Sequence, residues 1–371
     1  MSYAQYLKYD ESKLLTCPLM DIGKAFKLET YSDFYEKSHF FSQIFVNNKD
    51  ELSSKLLSLV ERDDLVFRGI NEAKYKLYNS MQRFNFLHYK DMNYTYIDLL
   101  STLFNVFESF DSGVLKYLVE RQNDNRKLNV LSCFSYLQHY GCPTPFLDWT
   151  YNLNSALFFS TDGVNDMENI NSDVNSITNY ISIYVAHKEL ISRFSFQKDL
   201  SEALEKVDIP LTYDFLDELL EKFVDKDTLK EAEKIVRKRK QIRFMDSCIE
   251  RILSVDTLLK SKLLFISDKE VNEYIRISVS NNLNILNQEG AFLFNSHPFA
   301  PIEWVVEKHY PMPSIETKPE LLYSINIHKS LLNEIQSYLI EKNYCKDRIY
   351  PDPYQMSQQV IKNAISQLHS R

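Results

Sequence analysis

An α+β fold with a mixed or antiparallel β core is predicted from three features of the sequence. Short apolar or β-branched runs such as Leu65–Gly69 and Tyr180–Ala186 read as strands. Long stretches of helical periodicity surround them, at residues 91–140 and 201–262. Only six glycines occur in 371 residues, and they form neither a GxGxxG nor a Walker-type phosphate loop. Dinucleotide-fold and P-loop architectures are thereby set aside.

Residues 1–30 show little periodicity and are expected to wrap onto the surface. From Ser32 to Arg62 the pattern is helical, with Asp50 and Glu51 in an acidic first turn ahead of an apolar stripe. Leu65–Gly69 reads as a buried strand that delivers Arg68 at its end. The 91–140 helices stop at Gly141-Cys142-Pro143-Thr144-Pro145, because each proline fixes its own backbone and biases the residue before it. Asn154–Ser160 begins a new element, Asp162–Asn179 reads as an exposed loop, and Tyr180–Ala186 as a strand. The charged 201–262 block is most simply a solvated helical excursion from the core. Lys262–Ser267, Ile285–Phe294, Ile302–Lys308 and Leu321–Ile327 follow as strand candidates. A helix at Ser330–Glu341 and an amphipathic run at Met356–His369 close the chain. The implied organisation is an N-terminal helical segment at 1–64, a main domain at 65–355 containing the excursion, and a C-terminal helix at 356–371.

Composition narrows the function classes. Hydrophobic residues make up 44% and charged residues 25%, the balance of a folded globular chain. A net charge of −8 argues against broad, non-specific nucleic-acid binding, which needs a basic surface. No run approaches the roughly 18 apolar residues of a membrane span, and the N-terminus lacks the pattern of a signal peptide. Cys17, Cys133, Cys142, Cys248 and Cys345 are odd in number and form no CxxC pair, which predicts a reducing, cytoplasmic setting without a disulfide framework. No HExxH or equivalent occurs among the eight histidines, so no metal is expected. Abundant Asn, Lys and Ile with scarce Gly suggest an AT-rich bacterial genome.

Three segments concentrate the residues suited to chemistry: Val66–Gly69, Gln138–Thr150 and Asn287–Phe292. In the second, a rigid turn holds His139, Asp148, Trp149 and Thr150 near one another, as a preorganised site requires. An equally simple reading makes Gly141 a helix C-cap, bonds His139 to a backbone carbonyl and places Trp149 in the core. Arg68 likewise has two readings. Its planar fork suits a bidentate phosphate contact, and a buried ion pair with Asp148 would account for it without a ligand. A thiol nucleophile at Cys142 beside His139 is a weaker reading.

Phe67-Arg68-Gly69, Tyr75-Lys76-Leu77 with Arg83, the Gln138–Thr150 stretch with Ala156–Phe159, and Gln288–Phe292 together resemble the FRG domain family. The resemblance runs from about Leu65 to Asp352. It departs at Pro145 and Phe146, where a basic residue and a leucine are usual, and at Asn282 and Asn284, where an arginine is. A more distant resemblance, to the Arg-Ser-Glu class of ADP-ribosyltransferases, implies an ADP-ribosyltransferase-like fold and NAD as substrate. It would give Arg68 the NAD phosphates or ribose, Thr150 the polar second-strand position and Gln288 the first position of the last motif. The catalytic glutamate of that pattern falls at Gly290, which leaves Asp148, with Glu289 in reserve, to face the developing oxocarbenium ion. Trp149 or Tyr140 would stack on nicotinamide, while Phe67, Gly69, Gln138, His139 and Gly290 shape the pocket. The resemblance further implies a bacterial stress or anti-phage defence role, a protein or nucleic-acid acceptor, a regulatory partner protein and no membrane. Rival expectations are a non-catalytic nucleotide- or protein-binding signalling module and a nuclease-type toxin.

Overall fold

A computed structural model describes residues 29–60, 62–88, 96–109, 130–164, 170–173, 175–192, 258, 262–267, 283–309 and 321–351. Most of the 201–262 excursion, the 110–129 part of the 91–140 stretch, nearly all of residues 1–30 and the Met356–His369 run lie outside these residues.

Alternating apolar runs build one mixed seven-stranded sheet from β1 (Ser42–Val46), β2 (Leu65–Ile70), β3 (Phe146–Thr150), β4 (Tyr180–His187), β5 (Leu263–Ile266), β6 (Gly290–Asn295) and β7 (Leu322–His328). The spatial order is β1-β7-β4-β2-β3-β6-β5. β1 runs parallel to β7, and every other pairing is antiparallel. The described helices are α1 (Phe34–Ser38), α2 (Lys49–Val60), α3 (Ser80–His88), α4 (Tyr96–Ser109), α5 (Val130–His139), α6 (Leu153–Thr161), α7 (Lys188–Ile191), α8 (Leu283–Gln288), α9 (Ile302–His309), α10 (Leu332–Glu341) and α11 (Lys346–Ile349).

Successive strand residues point to opposite faces, and the core divides accordingly. One face carries Val66, Leu147, Trp149, Tyr184 and Leu293 and is covered by α9 through Ile302, Trp304 and Val305. The other face carries two separate clusters. Phe67, Ile183 and Ile325 pack beneath α2, α6 and α10. Phe146, Phe292 and Phe294 pack with Leu100 of α4 and with Leu131 and Phe134 of α5. Between these clusters the sheet itself parts. β2 and β3 share a single paired position, Phe67 with Thr150, although β2 pairs along its whole length with β4 and β3 along its whole length with β6. Beyond Phe67 the two strands diverge and leave backbone groups facing one another without a ladder.

Several sequence expectations are corrected. Ser42–Val46 is an edge strand inside the stretch expected to be helical, because Ile44 and Val46 sit on an extended segment paired with β7. Ile285–Phe294 is not one strand: α8 ends at Gln288, Glu289 turns with φ 49, and β6 starts at Gly290. Ile302–Lys308 is the helix α9, with Ile302 through Val306 all buried. Such unbroken burial reflects a helix enclosed between Leu77 and the sheet, where a strand would alternate. The Asp162–Asn179 stretch is not wholly exposed, since Ile177 and Asn179 are buried.

Candidate functional site

The parted strands open into a cleft of about 290 Å³. One wall comes from α5 and α8, which contribute Gln138, His139, Asn284 and Gln288. The other comes from Phe159 of α6 and from Tyr350 after α11. The residues proposed from the sequence line this cleft except Tyr140, Cys142 and Glu289.

Arg68 sits in the parting. Its Nη1 donates to the main-chain carbonyl of Asp148, taking the place of a missing ladder bond. The ion pair of the alternative reading is not formed: the guanidinium meets the backbone, and the Asp148 carboxylate accepts from Gln138 Nε2 at 3.0 and 3.3 Å. Arg68 Nε is a buried donor with no acceptor among the described residues, a state that costs about 1–3 kcal/mol. Burial lowers the guanidinium pKa to about 10, opposed by Asp148 and reinforced by the like charge of Arg83. Among the described residues Arg68 makes no ion pair, and the Asp148 carboxylate favours its charge only at longer range.

Gly69 makes the parting compatible with α6. A Cβ at this position would lie 1.8 Å from the carbonyl oxygen of Ala156 and 2.8 Å from the amide of Ser160. Helix and strand are in backbone contact here, and α6 brings Phe159 to the rim. Asn152 fixes where α6 begins, its side-chain oxygen accepting from the amides of Asn154 and Ser155.

The Gln138–Thr150 stretch satisfies both of its sequence readings at once. Gly141 has φ +80, the Gly141 amide donates to Gln138 and the Cys142 amide to Leu137, which is the Schellman termination of α5. That cap sets Gln138 and His139 at the cleft. The Gln138 carbonyl oxygen accepts from Thr144 and Ser80 hydroxyls, leaving its amide nitrogen aimed at Asp148. The ring of His139 meets the Asn284 amide at Nε2 rather than a backbone carbonyl. Burial lowers the His139 pKa, and Asp148 partly offsets this, so the imidazole is neutral near pH 7.

Other expected roles change. The Thr150 hydroxyl donates to the Gln288 carbonyl and accepts from the Asn152 amide, which ties β3 to α8. The Gln288 amide donates to the Ile349 carbonyl at 3.1 Å. Glu289 accepts from Asn152 Nδ2 at 2.8 Å and lies off the cleft, since its turn precedes β6. Phe67 belongs to the core beneath α6. Trp149 is 3% exposed, with its ring in the core on the face opposite Asp148, so it offers no stacking surface. Tyr140 is 66% exposed and packs on Tyr136 and His139 outside the cleft. The partly exposed aromatic surfaces of the cleft come instead from Phe159 and Tyr350, neither of which was singled out as a site residue. Tyr350 was detectable only as the end of the family resemblance, and Asn284 only as a departure from it. Burial raises the Cys142 pKa, contrary to an activated thiol.

Among the described residues no helix is long and apolar enough to cross a membrane, and no cluster of His, Cys, Asp and Glu with metal-ligand character occurs. Residues 63–169 match the family model of the FRG domain. No curated protein matches the chain, and no solved structure does. The matched segment contains Arg68, Gly69, Gln138, Asp148 and Phe159. Asn284, Gln288 and Tyr350 reach the same cleft from outside it.

Proposed function

Taking residues 63–169 as an FRG domain, we propose that its cleft binds a phosphate-bearing nucleotide, with NAD as substrate in ADP-ribosyltransferase-like chemistry. One observation carries this reading: the half-buried guanidinium of Arg68 lines the cleft and makes no ion pair among the described residues, beside an Asp148 carboxylate that faces the same cleft. A partly desolvated cation of this kind gains when an anion completes it. A phosphate would accept from the guanidinium with charge-assisted hydrogen bonds.

The carboxylate supplies the second requirement. In NAD the bond from ribose C1′ to nicotinamide N1 breaks, and its electron pair leaves on nicotinamide, which becomes neutral. Asp148, oriented by Gln138, stabilises the positive charge that develops on the ribose. The nucleophile of a protein, a nucleic acid or water then bonds to C1′, and its proton passes to Asp148. The family resemblance sets such a reaction in bacterial stress or anti-phage defence.

A second reading is favoured by Gly290 and Glu289. The position expected to hold a catalytic carboxylate has none, and the neighbouring carboxylate is bonded to Asn152 off the cleft. Under that reading the cleft binds nucleotide and signals its presence without turnover. Incubation of the full chain with adenine-labelled NAD and cell extract separates the two. Free nicotinamide with labelled product, lost in Arg68→Met and Asp148→Asn, supports transfer. Saturable binding that depends on Arg68 but gives no nicotinamide supports the module. Absence of any Arg68-dependent binding defeats both.

A further inference from the structure

We propose that Tyr350 is a ligand-contacting residue of this cleft, its hydroxyl donating to the same phosphate-bearing ligand that Arg68 holds. This inference rests on the nucleotide reading of the site and adds to it a contact from outside the segment that matches the FRG domain.

The first support is placement. Tyr350 lines the cleft together with Arg68 and Asp148, and its ring packs on Phe158 and Phe159 of α6 with centroids 6.0 and 6.2 Å apart. The backbone leading to it is latched to α8. Asn287 Nδ2 donates to the Arg348 carbonyl at 2.9 Å, and Gln288 Nε2 donates to the Ile349 carbonyl at 3.1 Å. Asn152 Nδ2 donates to the Tyr344 hydroxyl at 2.6 Å. Two of these amides come from the segment that also supplies Asn284 and Gln288 to the cleft. The tyrosine is held at the rim on both sides, which lowers the entropy lost when a ligand is clamped there.

The second support is the hydroxyl. It makes no hydrogen bond to the described residues, whereas Tyr31, Tyr180 and Tyr184 each donate to an oxygen. Burial and the carboxylates of Asp162 and Asp148 push its pKa up to about 12, so it stays a neutral donor across the physiological range. A donor that cannot ionise is compatible with both an incoming phosphate and the nearby carboxylates, which a second acidic group would not be. Arg68 at the parted strands, which already gives one bond to the Asp148 carbonyl, and Tyr350 at the rim thus place two donor groups in one cleft, and the aromatic wall of Phe159 and Tyr350 accommodates a planar ring.

Titration calorimetry with ADP-ribose as the probe tests this on the full chain. Tyr350→Phe keeps the ring packing, and the expected result is about tenfold weaker binding, the loss of one hydrogen bond to a charged group, with an unchanged Tm. Tyr350→Ala weakens binding further and lowers Tm. Wild-type affinity in both variants, with binding still lost in Arg68→Met, overturns the inference and leaves the nucleotide reading standing. A Tm that falls in Tyr350→Phe in parallel with affinity also overturns it, because the hydroxyl would then be structural. If wild-type protein binds neither ADP-ribose nor NAD, the nucleotide reading itself fails and this inference with it.

Discussion

Replacing Gly69 by alanine tests the central contact of the cleft. Gly69 does not need left-handed backbone, and its constraint is space alone. The added Cβ would stand 1.8 Å from the Ala156 oxygen, and real Cβ contacts essentially never fall below 3.0 Å. The obstacle is helix backbone, so no side chain can rotate aside, and α6 must retreat from β2 by more than about 1 Å. Leu153, Ala156 and Leu157 would be pulled from the cluster they form with Phe67 and Ile183. Overpacking and the void that follows cost about 3–5 kcal/mol together, which at about 2 °C per kcal/mol for a domain of this size lowers Tm by about 6–10 °C. Gly141→Ala is the control. Gly141 has φ +80 with nothing within 4 Å of the added atom, so its cost is the left-handed backbone alone, about 1–2 kcal/mol. Thermal unfolding followed by circular dichroism compares the two. If Gly69→Ala melts no lower than Gly141→Ala, the strand-to-helix contact does not have the geometry described.

Arg68→Met should leave Tm unchanged or raise it slightly, since it removes a partly desolvated cation and an Nε donor with no acceptor among the described residues, while abolishing nucleotide binding measured by calorimetry. Asn152→Ala removes the α6 cap and the donors to Glu289 and Tyr344, and urea unfolding should show a loss of about 1–2 kcal/mol. The folded pKa of His139 lies below its ordinary 6.5. The unfolded chain then binds more protons as pH falls below 6.5, and stability declines in that window. His139→Gln should flatten this decline in a pH series of denaturant midpoints. Glu303 behaves in the opposite sense. Burial raises its pKa above 4.5, so its contribution is present at low pH and lost as pH rises through the folded value. Glu303→Gln should remove that slope while keeping acceptors for Tyr31 and Leu77.

The sequence was most readable where residue type and local structure agree. Tyr180–Ala186 is rich in β-branched and aromatic residues and forms the buried part of strand β4. Gly141 and its neighbouring prolines end α5 as their backbone limits require. Reading failed where tertiary enclosure outweighs local preference. Ile302–Val306 looks like a strand by composition, yet it is a helix buried around its circumference, and Glu303 is buried within it. Pro301, just ahead of it, was the available sign of a helix start. At Ile285–Phe294 the apolar residues on either side of Asn287-Gln288-Glu289 suggested one strand and hid a turn at Glu289, and that turn removes its carboxylate from the cleft. The stacking surfaces were misplaced because β3 alternation sends Trp149 to the face opposite Asp148. Tyr350 could not be joined to Arg68 by any local pattern, since 282 positions of chain separate them.

The single paired position between β2 and β3 has a mechanical consequence. The sheet consists of two continuously bonded blocks, β1-β7-β4-β2 and β3-β6-β5, joined along a seam that Arg68 spans with one bond to Asp148. Opening along that seam breaks fewer backbone bonds than separating any other neighbouring strands, so it marks the natural boundary between cooperative units. Amides of β3 that face it should exchange with solvent sooner than those shared with β6. A ligand seated across Arg68 and Asp148 would act as a staple between the blocks, and its binding energy would be recovered as resistance to their separation.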